Sequence, residues 1–181
     1  MNKREQTCCF TGHRPEKLPW KNDENDWRCK ELKQKLYDMI ETAYRQGIRH
    51  FICGMARGCD FYFAESVIQL KQTYPGVSLE AAIPFRAQSS SWSQENQERW
   101  QYLVANCDIR RVLQENYTPD CMLRRNQYMV DHSALVIAVY DGKSGGTCRT
   151  IEYAMKQNVQ IMDIHPYQSE MDMQCKIECL F

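Results

Sequence analysis

The sequence predicts an α/β, Rossmann-like fold: a parallel sheet with helices on both faces, in a single domain of a 181-residue chain. Three observations carry this. Strand-like and helix-like patterns alternate along the chain, as repeated βαβ units require. The run ALVIAVY (134–140) is apolar without alternation, as a central parallel strand buried on both faces must be. Several apolar runs end in glycine-bearing loops that lead into helical patterns.

In chain order, residues 7–11 read as the first strand, stopping at Thr11-Gly12-His13-Arg14-Pro15. Residues 21–26 are polar and loop-like. From Trp27 to Gln46, Leu32, Leu36, Met39, Ile40, Ala43 and Tyr44 form a helical stripe, and Gly47 suits its C-terminal end. Residues 48–53 are a second strand. A helix follows from about Cys59 to Lys71, with Ala64, Val67 and Ile68 inward. Pro75-Gly76 is a turn, and residues 77–85 are a third strand. Ser91-Trp92-Ser93-Gln94 resembles a capping box, and the helix behind it, to about Asn106, buries Trp100, Leu103 and Val104. Residues 109–114 form a short strand. Thr118-Pro119 reads as an N-cap with proline at the first helical position, opening a helix to about His132. After the strand at 134–140, the loop Asp141–Thr147 leads to a helix ending near Gln157, and 159–164 is the last strand. The domain is assigned to residues 1–166, and residues 167–181 to a C-terminal tail.

Composition narrows the function. Lys plus Arg number 23 and Asp plus Glu number 23, so the formal charge is zero. A general nucleic-acid binder needs a surplus of cations to neutralise phosphates, so nucleic acid is disfavoured as a partner. No stretch approaches the roughly 20 apolar residues of a membrane span. Met1–Glu5 leads into only a few apolar residues, so no signal peptide is expected. The ten cysteines include no Cys-x-x-Cys, and Cys175-x-x-x-Cys179 has no matching second pair. No metal site is therefore expected, and the thiols read as free in a cytoplasmic protein.

Three strand ends carry unusual chemistry: Thr11-Gly12-His13-Arg14, Gly54-Met55-Ala56-Arg57-Gly58-Cys59-Asp60, and Asp141-Gly142-Lys143-Ser144-Gly145-Gly146-Thr147. Glycine lets backbone N–H groups approach a ligand closely. The last two loops run into helices, whose N-termini offer unpaired N–H groups and a positive dipole end. Arg14, Arg57 and Lys143 add cations, and Thr11, Ser144 and Thr147 add hydroxyls. His13 is placed to contact phosphate or base. Each glycine alone reads equally as the closure of a tight turn; three such loops at one sheet edge read as a cradle for a phosphate or phosphorylated sugar. None matches the three-glycine dinucleotide fingerprint or the full phosphate-loop pattern, which disfavours an ATPase or an ordinary nicotinamide dehydrogenase. Arg125 and Asn126, on the helix before the most apolar strand, are placed to reach the same edge.

The residues also carry a resemblance. CGMARGCD (53–60) resembles the Ser-Gly-x-Ala-x-Gly-x-Asp loop of the Smf-type DNA-processing proteins. RNQYMVDHSALVIAVYDGKSGGT (125–147) resembles the Arg-Lys-x-x-Met … Gly-Gly-x-Gly-Thr region of the "lonely guy" phosphoribohydrolases. Both belong to the SLOG superfamily of Rossmann-like ligand-binding domains. Thr-Gly-His-Arg-Pro together with GGTCRTIEYA is similar to the YpsA-like bacterial and phage branch, and the resemblance spans roughly residues 6–165. It implies a nucleotide or NAD/ADP-ribose-like ligand held by a sensor or regulator, with no further cofactor assigned. It also implies two alternatives, a phosphoribohydrolase or NAD-type N-glycosidase and a Smf-like DNA-processing protein, and a homodimer as the arrangement common in the superfamily.

Carried over residue by residue, Arg125 matches the family's catalytic arginine, Asn126 replaces the neighbouring lysine, and Gly146-Thr147 match the Gly-Thr pair. Cys148, Arg149 and Thr150 stand where the glutamates are expected. Glu152 lies about one helical turn further on, so Arg125 and Glu152 are the candidate catalytic pair of the enzymatic alternative. Asp60, Asp131 and Asp141 are the other carboxylates placed to supply the missing group.

Overall fold

The computed structural model describes residues 3–167. Residues 168–181 of the expected tail, with Cys175 and Cys179, lie outside the described residues. Six strands form one sheet: β1 (Thr7–Thr11), β2 (His50–Cys53), β3 (Ser78–Ile83), β4 (Ile109–Val112), β5 (Leu135–Val139) and β6 (Gln160–Ile164). Five helices connect them: α1 (Trp27–Arg45), α2 (Cys59–Thr73), α3 (Gln94–Ala105), α4 (Cys121–Asp131) and α5 (Gly146–Lys156). Every pairing is parallel, and the order across the sheet is β4-β3-β2-β1-β5-β6.

That order positions the site. The chain steps outward from β1 to β4, and α4 then carries it back to β5, which pairs with the other side of β1. Connections after β1 and β5 therefore leave in opposite directions and open a crevice between them.

The inner strands β1, β2, β3 and β5 are buried on both faces, whereas the edge strands β4 and β6 are largely open, so the apolar residues of the inner strands supply two cores. On one face Cys8, Phe10, Phe51, Leu79 and Ile137 pack with Leu36, Ile40, Phe63, Val67 and Leu70 of α1 and α2. Phe10 stacks on Phe63 with ring centroids 4.6 Å apart. On the other face Cys9, Ile52, Ala82 and Val136 meet Met129 and Val130 of α4 and Ala154 of α5. Each fully buried large apolar side chain contributes about 1.5–3 kcal/mol. All eight cysteines among the described residues are free. Seven are buried, and burial pushes thiols such as Cys9 up to about 12, which keeps them unreactive.

Local chemistry explains where helices begin and end. Asp26 caps α1 by accepting from Arg28 N at 2.9 Å, and Gly47 follows its end at φ +104°. Two starts differ from the sequence expectation. The cap of α3 is Ser93 rather than Ser91, because Trp92 N first closes a turn on Ser89 O; Ser93 Oγ then accepts from Asn96 N. The helix expected at Thr118 begins at Cys121. Thr118 Oγ1 donates to Asp120 Oδ1 at 2.7 Å, and Cys121 N bonds Thr118 O, so residues 118–120 form a separate turn.

A polar knot pins α4 to the sheet. Glu80 on β3 is buried and accepts from Tyr128 OH at 2.6 Å and Arg111 Nε at 3.3 Å, with His50 Nε2 at 3.0 Å. Burial alone raises the Glu80 carboxyl, but His50, Tyr128 and Arg111 outweigh it and hold it down at about 2. The depressed value makes Glu80 stabilising when ionised. Its contribution is complete above about 4.5 and is lost as pH falls toward about 2. Urea unfolding across that window is expected to show the loss, and Glu80→Gln, costing roughly 3 kcal/mol at pH 7, is expected to flatten it.

Candidate functional site

A cavity of about 380 Å³ lies at the carboxyl end of β1, in the crevice shared with β5. Thr11, Gly12, His13 and Arg14 enter it directly from β1. From the loop after β2 come Ala56 and Asp60, and from α4 come Arg125 and Asn126. Gly146 and Thr147, in the first turn of α5, complete the polar wall. The structure thus brings ten of the sequence candidates to one space.

Arg125 organises the floor. It is 6% exposed, so its charge must be answered from within. Its Nη1 donates to Gly54 O, and its Nε donates to Asn126 Oδ1 at 2.8 Å. Asp60 Oδ2 lies 4.0 Å away and accepts from Ala56 N at 3.1 Å. Burial pushes the Asp60 carboxyl up against the pull of Arg125, and pushes the guanidinium down against the pull of Asp60. Asn126 Nδ2 donates to Thr150 Oγ1 at 2.8 Å, and Thr150 Oγ1 donates to Gly146 O at 2.9 Å. This chain links α4 to the first turn of α5.

His13 forms a second polar centre. It is 3% exposed, and its Nε2 lies 2.9 Å from Asp141 Oδ1. Nε2 faces this carboxylate and has no other partner among the described residues. Burial pulls the imidazole pKa down, against the opposing charge of Asp141. The Asp141 carboxyl is raised by burial, but the Lys143 N–H and the charges of His13 and Lys143 hold it below its ordinary range. Asp141 therefore stands behind His13 rather than in the cavity wall.

The other candidates take different places. Gly54 lies beneath the cavity, where a Cβ would overlap the Arg125 guanidinium. Gly58 turns at φ +83°, and a Cβ there would sit 2.9 Å from His13 O. Cys59 N bonds His13 O at 3.1 Å, and Ala56 N is taken by Asp60, so these two amides of the loop serve packing. Arg57 leaves the site because it pairs with Glu16 Oε1 at 2.6 Å and lies over Trp92. Gly142 and Ser144 are exposed outside the cavity, and Gly145 adjoins it as the N-cap of α5. Glu152 is exposed on α5, where Cys148 Sγ donates to it at 3.4 Å. Asp131 accepts from Tyr153 OH at 2.9 Å on the surface.

Sequence reasoning missed Glu16, Lys17, Met122 and Met129, all of which line the cavity. The spacing of Met122, Arg125, Asn126 and Met129 on one helix face was a readable signal. Lys17 had none. It reaches the site because Pro15–Lys17 forms a short 3₁₀ turn, from which Nζ donates to Ser144 O at 3.2 Å. Among the described residues no cluster of His, Cys, Asp or Glu has metal-binding geometry. No helix among them is long and apolar enough to cross a membrane.

The substitution Gly54→Ala is expected to expel Arg125 and strand Asp60, lowering stability by about 3 kcal/mol or more in urea unfolding. Gly76→Ala, where only the Arg49 side chain comes near, is expected to cost less, chiefly through its φ of +74°.

Comparison with known proteins gives a consistent picture. A UPF0398 protein of Bacillus cereus (strain B4264) is 26% identical over 165 residues, covering 90% of this chain and 89% of the relative. A UPF0398 protein of Bacillus thuringiensis (strain Al Hakam) is 28% identical over 167 residues, with the same coverage. Among solved structures, DNA processing protein A (DprA) from Streptococcus pneumoniae aligns with a TM-score of 0.61 at 16% identity. The alignment covers 93% of this chain, which spans about half (52%) of that protein. DNA processing protein A from Helicobacter pylori, described for its single-stranded DNA binding mode, aligns at a TM-score of 0.58 and 15% identity, covering 97% of this chain and 73% of that one. These structures share the fold. A sequence model of the YspA SLOG family (YpsA) matches residues 8–174, and the chain belongs to that family.

Proposed function

We propose that this protein is a nucleotide or nucleotide-sugar binding domain, taking a phosphate-bearing, NAD- or ADP-ribose-like metabolite in a sensing or regulatory role. One observation carries the reading. The first turn of α5 faces a cavity at the switch point of the sheet, and Arg14 and Lys17 line the same cavity with no carboxylate paired to either among the described residues. Free helix-terminal amides and unpaired cations together suit a phosphate. Phe10, Met122 and Met129 give the space an apolar side for a base or sugar face.

Calorimetry against ADP-ribose, cyclic ADP-ribose isomers, NAD and mononucleotides tests it. Binding of at least one is expected, with Arg14→Ala and Lys17→Ala each weakening it roughly tenfold. Silence from the whole panel at millimolar concentration would overturn the reading.

A second reading, hydrolysis of an N-glycosidic bond, has one observation in its favour: Asp60 is a buried carboxylate in the cavity wall whose pKa is raised by burial. Under that reading free base is released from AMP or NAD, Asp60→Asn abolishes the release, and Glu152→Gln leaves it unchanged. The DNA-processing reading draws on the fold shared with DprA. Here Trp20 is buried and Trp92 and Trp100 pack against the core, which leaves Trp27 as the exposed indole for stacking on bases.

A further inference from the structure

We infer that the site selects a terminal phosphomonoester, such as that of a mononucleotide or sugar phosphate, over phosphodiesters and pyrophosphates, and that His13 is the residue that reads the second phosphate charge. The inference rests on the nucleotide-binding reading and narrows it to mononucleotides and sugar phosphates, in place of NAD- or ADP-ribose-like pyrophosphates.

The donors fit one phosphate. Of the two glycine loops that precede helices, the one before α2 spends its amides at Ala56 and Cys59 on Asp60 and His13 O. The start of α5 remains as the amide cradle facing the cavity. The Lys17 ammonium sits only 2.6 Å from where a Cβ of Gly145 would lie, at the N-cap of that helix. A cation against the positive end of a helix is unfavourable unless an anion joins them. Two positive groups thus converge on one point, where Lys17 Nζ is held by Ser144 O at 3.2 Å and no carboxylate among the described residues pairs with it.

His13 supplies an independent indication. It is buried and lines the cavity, and its Nε2 is turned toward Asp141, which is not part of the cavity wall. Burial favours the neutral imidazole. Asp141 stands behind it at 2.9 Å, ready to stabilise an imidazolium. The charges facing the ring from its surroundings are Asp141, Lys17 and Lys143, with Arg14 beside it in the chain and the Tyr140 ring 6.4 Å away. Lys17 and Lys143 disfavour protonation of His13 until an anion offsets them. A phosphomonoester has a second pKa near about 6 and is mostly a dianion at pH 7, whereas a diester stops at one charge. Arrival of the dianion raises the proton affinity of His13, so binding takes up a proton onto the imidazole. A diester provides less of that pull.

The test is calorimetry at pH 7 in two buffers of different ionisation enthalpy, with AMP, ribose 5-phosphate, cyclic 3′,5′-AMP and ADP-ribose as probes. NMR of the Gly146 and Thr147 amides is followed in parallel. AMP or ribose 5-phosphate is expected to bind at least about tenfold tighter than the other two, with net proton uptake. His13→Gln is expected to abolish the uptake and erase most of that preference while the Gly146 and Thr147 amides still respond. Equal or tighter binding of cyclic AMP or ADP-ribose would overturn the inference and leave the nucleotide-binding reading standing. Unchanged proton uptake in His13→Gln would overturn the role of His13. No binding of any probe, with both amides unmoved, would overturn the inference and the broader reading together.

Discussion

A guanidinium withdrawn from water constrains the whole sheet edge. Removing such a charge from solvent costs several kcal/mol unless the surroundings answer it. For Arg125 the answer comes from three places at once: the Gly54 carbonyl, Asp60 on α2 and Asn126 beside it on α4. Position 54 must lack a side chain because the guanidinium occupies that space. Asn126 passes the constraint onward through Thr150 to the Gly146 carbonyl. One buried cation therefore sets the spacing between α2, α4 and the opening turn of α5, and with it the shape of the cavity.

Similar composition leads to opposite outcomes in the two glycine-bearing helix starts. Before α2, glycine permits close packing: Gly58 fits under His13 and Pro15, and the neighbouring amides are spent inside the protein. Before α5, the Lys17 side chain reaches Gly145 and Ser144 O, and Gly146 and Thr147 face the cavity. The difference comes from what each loop packs against. The β2 loop lies inside the sheet order, between β1 and β3, whereas the β5 loop borders the point where the strand direction of travel reverses.

Most of the architecture was legible because it depends on local pattern. ALVIAVY marked β5, the stripe from Leu32 to Tyr44 marked α1, and Gly47 marked its end. Boundaries slipped where a side-chain hydrogen bond decides them, as at Ser93 and at the Thr118–Asp120 turn. The site was legible in outline, since ten of its lining residues could be named from strand ends and one helix. It was not legible in assignment. Arg57 stands in a glycine loop at a strand end and Lys17 carries no such mark in the sequence, but Glu16 draws Arg57 away, while the Pro15–Lys17 turn delivers Lys17 to the cavity. Such exchanges depend on which loops become neighbours, and periodicity does not encode that.

The position of the carboxylates bears on whether a bound metabolite is held or cleaved. A general base must present a free oxygen to water beside the scissile bond. Glu152 projects from the exposed side of α5, Asp131 is engaged with Tyr153, and Asp141 lies behind His13. Asp60 is in the cavity wall, but one of its oxygens accepts from Ala56 N and faces Arg125, and both contacts lower its basicity. Arg14 and Lys17, by contrast, line the space with no carboxylate paired to them among the described residues. Under the proposed binding reading, a cavity with Arg14 and Lys17 open to it and its acids committed elsewhere would stabilise an anion in its ground state, which raises affinity without by itself accelerating bond cleavage.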